Sequence, residues 1–202
     1  MRRVLVLALL ALTLPMASLA STIKLLNKGG TLTLLPSGIV SKGSELTYYN
    51  GITPPPGHSL GSLSFTTGML TSGGIGAGQN ATFSSVGSSF NVTGNGTYGA
   101  PKGTIFNGSF TGTINWTFIS QKGQNLEFML TGNIKGKDGA GNVVFGTTTQ
   151  TIWTTVDQLK RGIGHFQGSS TTYLNVPEPG TLGLLGTGLV GIAGMVRRRL
   201  AA

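Results

Sequence analysis

From Phe110 to Phe118 the side chains alternate with a period of two. Phe110, Gly112, Ile114, Trp116 and Phe118 fall on one side, and Thr111, Thr113, Asn115 and Thr117 on the other. A β-strand turns successive side chains to opposite faces, so this pattern specifies a strand with one apolar inner face; a helix would scatter the same residues around its axis. The pattern recurs downstream between turn signals. The polar run Gln121–Asn125 precedes a strand over Leu126–Ile134 with Leu126, Phe128 and Leu130 on one side. A second turn, Gly136–Gly141, leads to a long strand over Asn142–Val156. There Val143, Phe145 and Trp153 share one parity and Val144, Ile152 and Val156 the other, so both faces are expected to be partly covered. Phe166–Leu174 supplies a last strand, and the four segments read as an antiparallel meander.

The first half is less regular. Thr22–Asn27, Thr31–Leu35, Glu45–Tyr49, Leu60–Thr66, Ala81–Ser85, Ser88–Thr93 and Thr104–Phe106 are short strand candidates. Pro54-Pro55-Pro56-Gly57 must be a loop or polyproline stretch, and Thr71–Asn80 is rich in glycine and expected to be a flexible loop. No long segment of the body carries apolar residues at helical spacing. The expected fold is all-β: an antiparallel β-sandwich, in which two packed sheets bury their inner faces. A β-solenoid is the alternative given the Gly, Thr and Asn content, although no fixed repeat period occurs.

The two ends differ from this body. Met1 to Ala20 reads as a secretory signal peptide: Arg2 and Arg3 give a basic start, Val4 to Leu14 an apolar run, and Ser18 and Ala20 the small residues before a cut at Ser21. At the other end Val176-Pro177-Glu178-Pro179-Gly180 precedes an uncharged stretch, Thr181 to Val196, and then Arg197-Arg198-Arg199. That stretch spans about 24 Å as a helix, close to what a bilayer core requires, so a C-terminal transmembrane helix is expected. The arginines place the 197–202 end on the cytoplasmic side. The expected organisation is a signal peptide over 1–20, a β-rich exported domain over 21–175, and a tail over 176–202, with the motif at 176–180 and the membrane segment at 181–196.

The tail resembles the PEP-CTERM sorting signal of Gram-negative bacteria, through Val176, Pro177, Glu178 and Pro179, the apolar stretch, and the basic anchor Arg197, Arg198 and Arg199. The resemblance covers the tail alone. It implies an exosortase substrate: a protein that meets the export machinery and the exosortase, is held transiently in the inner membrane, is cut near the motif, and reaches the cell surface or extracellular matrix. Many such proteins occur alongside exopolysaccharide systems. Independently of the resemblance, Pro177 and Pro179 favour an extended backbone without amide donors, which suits a protease cleft.

The body offers little chemistry. The chain has no cysteine, which removes disulfides and thiol chemistry. Nine basic and four acidic residues leave residues 21–176 at +5, within a formal charge of +9 for the whole chain. The bases are scattered, which argues against a nucleic-acid partner, while attraction to acidic polysaccharide is compatible with the charge. Glu45, Glu127, Asp138 and Asp157 are isolated in sequence, His58 and His165 are too few for a metal cluster, and no phosphate-binding loop occurs. No cofactor and no catalytic or metal-binding residue is expected. Trp116 is expected in the core. Trp153, in a threonine-rich segment, is the candidate for stacking on a sugar ring, with packing in the core or at a sheet edge as the competing reading; Tyr48, Tyr49, Tyr98 and Tyr173 are weaker candidates. The function expected is that of a non-enzymatic surface or matrix protein, with a carbohydrate-binding module of extracellular polysaccharide as the alternative.

Overall fold

Alternation in the folded chain extends well beyond Phe110–Phe118. The computed structural model describes residues 21–35, 37–166 and 170–176. They form strands β1 (Ser21–Lys28), β2 (Thr31–Leu35), β3 (Gly38–Tyr49), β4 (Gly61–Thr66), β5 (Leu70–Gly73), β6 (Ala81–Phe83), β7 (Ser89–Asn95), β8 (Lys102–Lys122), β9 (Asn125–Asp138), β10 (Val143–Thr155), β11 (Ile163–Phe166) and β12 (Ser170–Val176), with one short helix, α1 (Val156–Lys160), between β10 and β11. The expected transmembrane segment 181–196 and signal peptide 1–20 lie outside the described residues.

All registered pairings are antiparallel, and they follow chain order. β2 and β1 both pair with β3, β3 with β4, β4 with β7, β7 with β8, β8 with β9 and β9 with β10. β10 then pairs on its other edge with β12 through Phe145–Thr149 and with β11 through Ile152 and Trp153. Finally β11 pairs with β2, Ile163 opposite Thr33 and His165 opposite Thr31, while β1 lies beside β12. The path β2-β3-β4-β7-β8-β9-β10-β11 is therefore a closed ring of eight. β1, β5, β6 and β12 prolong it, since β5 pairs with β6 and β6 with the distal half of β8.

The structure thus has the antiparallel meander but neither two separate sheets nor a solenoid: the sheet is a barrel. Long strands such as β10 keep hydrogen-bonded partners on both edges, so nothing is left to form the open edges of a sandwich. Closure needs strongly coiled strands, and the ladders carry register shifts where bulges supply the bend: Ser41/Ser44 in β3 and Thr111/Asn115 in β8. Gly112 sits in the second shift at φ +70° and is exposed, although the sequence pattern puts it on the apolar face. At the β1–β2 junction Gly30 has φ +84°, and a Cβ there would meet Ser44 N at 2.6 Å and Lys42 O at 2.7 Å, so only glycine permits this approach.

The inner face is filled. Phe65, Phe90, Phe106 and Phe110 form one ring cluster, with Phe90 5.5 Å from Phe110, 6.0 Å from Phe65 and 6.1 Å from Phe106. Trp116 stacks on Phe128 at 4.5 Å, as expected of a core residue, with its Nε1 lacking a partner. Where the terminal strands close the ring the interior turns polar. Asn27 Nδ2 donates to Ser44 Oγ (2.8 Å) and Gln150 Oε1 (2.9 Å); Gln150 Nε2 donates to Thr148 Oγ1 (2.7 Å), which shares a hydrogen bond with Thr172 Oγ1 (2.8 Å). All five are buried. They join β1, β3, β10 and β12, the strands on either side of the seam.

Helix α1 was not expected. Its signal is short: Thr155 caps Gln158 N, and the Gln158 side chain accepts from Thr155 N, a capping box spelled T-x-x-Q. β5 likewise orders part of the glycine-rich segment expected to be a loop.

Two substitutions test this account by denaturant unfolding. Phe90→Ala, at the centre of the ring cluster, is expected to cost about 3–5 kcal/mol. Asn27→Ala leaves Gln150 Oε1 without its donor and is expected to cost about 1–3 kcal/mol; a loss under a few tenths would remove the seam network from the account.

Candidate functional site

β1 begins and β12 ends at the same rim of the barrel, where Thr22 Oγ1 donates to Asn175 Oδ1 at 3.1 Å. Chain direction puts residues 50–60, 96–101 and 139–142 at this rim, because β3, β7 and β9 run towards it and β4, β8 and β10 away. The rim holds an open apolar cavity of about 200 Å³ lined by Ile23, Tyr49, Ile105, Val144, Leu174 and Val176, with Asp138 at its edge. Burial, and then the charge of Asp138, push the Tyr49 hydroxyl above its usual pKa.

Asp138 organises the β9–β10 turn. Its Oδ1 accepts from Ala140 N (2.9 Å) and Asn142 N (2.8 Å), and its Oδ2 from Asn142 Nδ2 (3.0 Å). Desolvation opposes ionisation, but these donors, led by Asn142, outweigh it and hold the carboxyl below its usual pKa.

The outer face beside this rim carries aromatics and lysines in register. Phe145 stands between Lys135 on β9 and Asn175 on β12, and Lys135 Nζ lies 5.2 Å from the centre of its ring. Lys137 is opposite Val143, and Tyr173 is opposite Thr147. Phe145 is 50 % and Tyr173 42 % exposed. Lys24 Nζ lies 6.0 Å from the centre of the Tyr48 ring on β3. In the rim loops His58 meets Tyr98 edge-on at 5.7 Å. Further along the barrel the outer face is hydroxylic: Asn115, Thr131, Thr149 and Thr171 form one row across β8, β9, β10 and β12.

Trp153 lies towards the other rim. It faces outward, 36 % exposed, opposite Glu127 on β9 and His165 on β11. Val143, Phe145 and Trp153 thus occupy the outer parity of β10, and Val144 and Ile152 the inner. Tyr49 lines the rim cavity, whereas Tyr48, Tyr98 and Tyr173 stand apart from Trp153 at the rim. Glu45 is on β3, Glu127 on β9 with its Oε2 accepting from Ser120 Oγ (2.9 Å), Asp138 in the rim turn and Asp157 in α1. Among the described residues no group of three or more His, Asp or Glu side chains is placed to hold a metal ion. Of the sorting residues only Val176 is described, as the last residue of β12, partly buried against the core; Pro177, Glu178, Pro179 and Arg197–Arg199 lie outside the described residues. The pairing of aromatics with lysines across strands was not legible in the sequence, since Lys135 and Phe145, or Lys24 and Tyr48, become neighbours only through register.

A closed, filled antiparallel barrel continues directly into a C-terminal processing signal. Residues 175–199 match the family model described as the PEP-CTERM protein-sorting motif, and the chain carries that motif, a signal for export and sorting. No curated protein and no solved structure matches the chain.

Because the folded state lowers the Asp138 pKa, its contribution to stability is present above the unfolded value of about 3.9 and is lost as pH falls through the folded value. The stability difference between the native chain and Asp138→Asn is therefore expected to be constant near neutrality and to shrink below about pH 4. Parallel acid titrations followed by circular dichroism would check it; a difference that grows on acidification would refute the assignment.

Proposed function

We propose that this chain is an exported, non-enzymatic barrel protein of the cell surface or extracellular matrix, released through exosortase processing of its tail. The observation that carries the reading is the sorting motif over 175–199, joined without a spacer to the last strand of the barrel. In this reading residues 1–20 are removed on export, and 181–196 anchor the chain transiently in the inner membrane. Arg197–Arg199 hold the cytoplasmic end, and a cut near Pro177-Glu178-Pro179 frees the barrel. The filled interior and the distribution of the four body carboxylates over separate elements favour a structural role over catalysis.

A second reading, a carbohydrate-binding module of extracellular polysaccharide, is favoured by one feature: outward aromatics on β10 and β12 flank outward threonines. Exposed aromatic rings of this kind stack on sugar rings, and Trp153 is the residue first to be tested.

Intact mass and terminal peptides of the protein from native cell fractions test the first reading. A mature form lacking Met1–Ala20 and the segment after the motif, recovered outside the inner membrane, is expected. Retention of Arg197–Arg199 in inner-membrane protein would make it a permanently anchored chain instead. For the second reading, retention on polysaccharide that Trp153→Ala abolishes and Thr149→Ala leaves intact is the expected pattern.

A further inference from the structure

We propose that the rim where β1 begins and β12 ends is a docking surface for an anionic lipid bilayer, used while the tail is still in the membrane. The inference rests on the tail being membrane-inserted, as in the proposed function, and adds a role for the folded barrel.

Covalent reach is the first argument. β12 ends at Val176, and only Pro177 to Gly180 separate it from the uncharged stretch that begins at Thr181. Val176 and Thr181 are five residue steps apart, at most about 18 Å in any conformation. A tail in the bilayer therefore keeps the end of β12 within that distance of the headgroups. The β1 start is tied to the same place through Thr22 and Asn175.

The surface chemistry at this rim is the second, independent argument. Lys24 on β1, Lys102 at the start of β8, and Lys135 and Lys137 near the end of β9 all lie in rim-proximal parts of their strands. The acid on these strand ends, Asp138, already has both carboxylate oxygens engaged by Asn142 and Ala140. Interleaved with the lysines are Phe145, Tyr173 and Tyr98, which are 50 %, 42 % and 47 % exposed. Aromatic rings beside lysine stems suit the bilayer interface, where rings sit at headgroup level and ammonium groups meet phosphate. Each lysine near an anionic surface strengthens association roughly fivefold, within a Debye length of about 8–10 Å. The opposite end carries Lys122, Lys160 and Arg161, but also Glu127 and Asp157. An acidic polysaccharide would meet the same lysines, but a membrane also accounts for their position beside the end of β12, from which the tail departs.

The experiment uses the full chain reconstituted in vesicles. The absence of native cysteine allows single labels: a nitroxide at Asn107→Cys, on the outer face of β8 opposite Lys137, and one at Gln121→Cys, on β8 far from this rim. Flotation with phosphatidylcholine vesicles first reports tail insertion; failure to float defeats the underlying reading and not the docking surface alone. In floating samples containing phosphatidylglycerol, the label at 107 is expected to lose access to an aqueous relaxation agent, while the label at 121 keeps it. Lys135→Glu with Lys137→Glu should restore access at 107, by at least about tenfold in the docked-to-free ratio. The Arg pair, Lys135→Arg with Lys137→Arg, should retain protection, and unchanged circular dichroism would exclude unfolding. Equal access at 107 in phosphatidylglycerol and phosphatidylcholine vesicles would overturn the proposal. So would protection that appears only on adding an acidic polysaccharide, which would assign the surface to a matrix ligand.

Discussion

The pairing of the first strands with the last holds this protein together. β2 meets β11 and β1 lies beside β12, so residues more than a hundred positions apart in sequence close the ring. Without that seam the other strands form a curled open sheet with two unpaired edges and an inner face open to water. With it, every long strand is paired along both edges, and the phenylalanine cluster, Trp116 and Phe128 are sealed from solvent. The loop-closure entropy of bringing β1 and β2 to β12 and β11 is offset by the apolar interior that this contact encloses.

The seam is also where the interior is polar. Asn27, Ser44, Thr148, Gln150 and Thr172 bond to one another inside the barrel, on the strands whose register is least fixed by hairpin turns. Apolar contacts tolerate a slip between such strands, whereas a slip would leave several buried amide and hydroxyl groups without partners. Polar complementarity there selects one closure among several that apolar packing alone would allow. The same closure brings the start of β1 and the end of β12 to one rim.

How much was legible follows from the range of each signal. Period-two alternation is local, and it placed β8, β9, β10 and the meander that joins them. It also separated Val144 and Ile152 from Val143, Phe145 and Trp153, without saying which set was inner. Sandwich and barrel share that alternation and differ only in whether the end strands find each other, a contact that no local pattern encodes. Gly112 sat on the apolar parity by count, but the bulge around it turned it outward. The capping box at Thr155 and Gln158 was present in the letters, too short to stand out among so many threonines.

The sequence by itself determined the antiparallel β class and the C-terminal sorting motif, because both depend on neighbours in the chain: alternating polarity in one case, and a proline-bracketed acid, an apolar stretch and a basic cluster in the other. Only the tertiary structure decided that the sheet closes into a ring, that its interior is filled, and that Lys135 sits over Phe145 and Lys24 over Tyr48. Those facts depend on strand register and bulges accumulated over the whole circuit. A shift of one residue anywhere in it would turn each inner side chain outward.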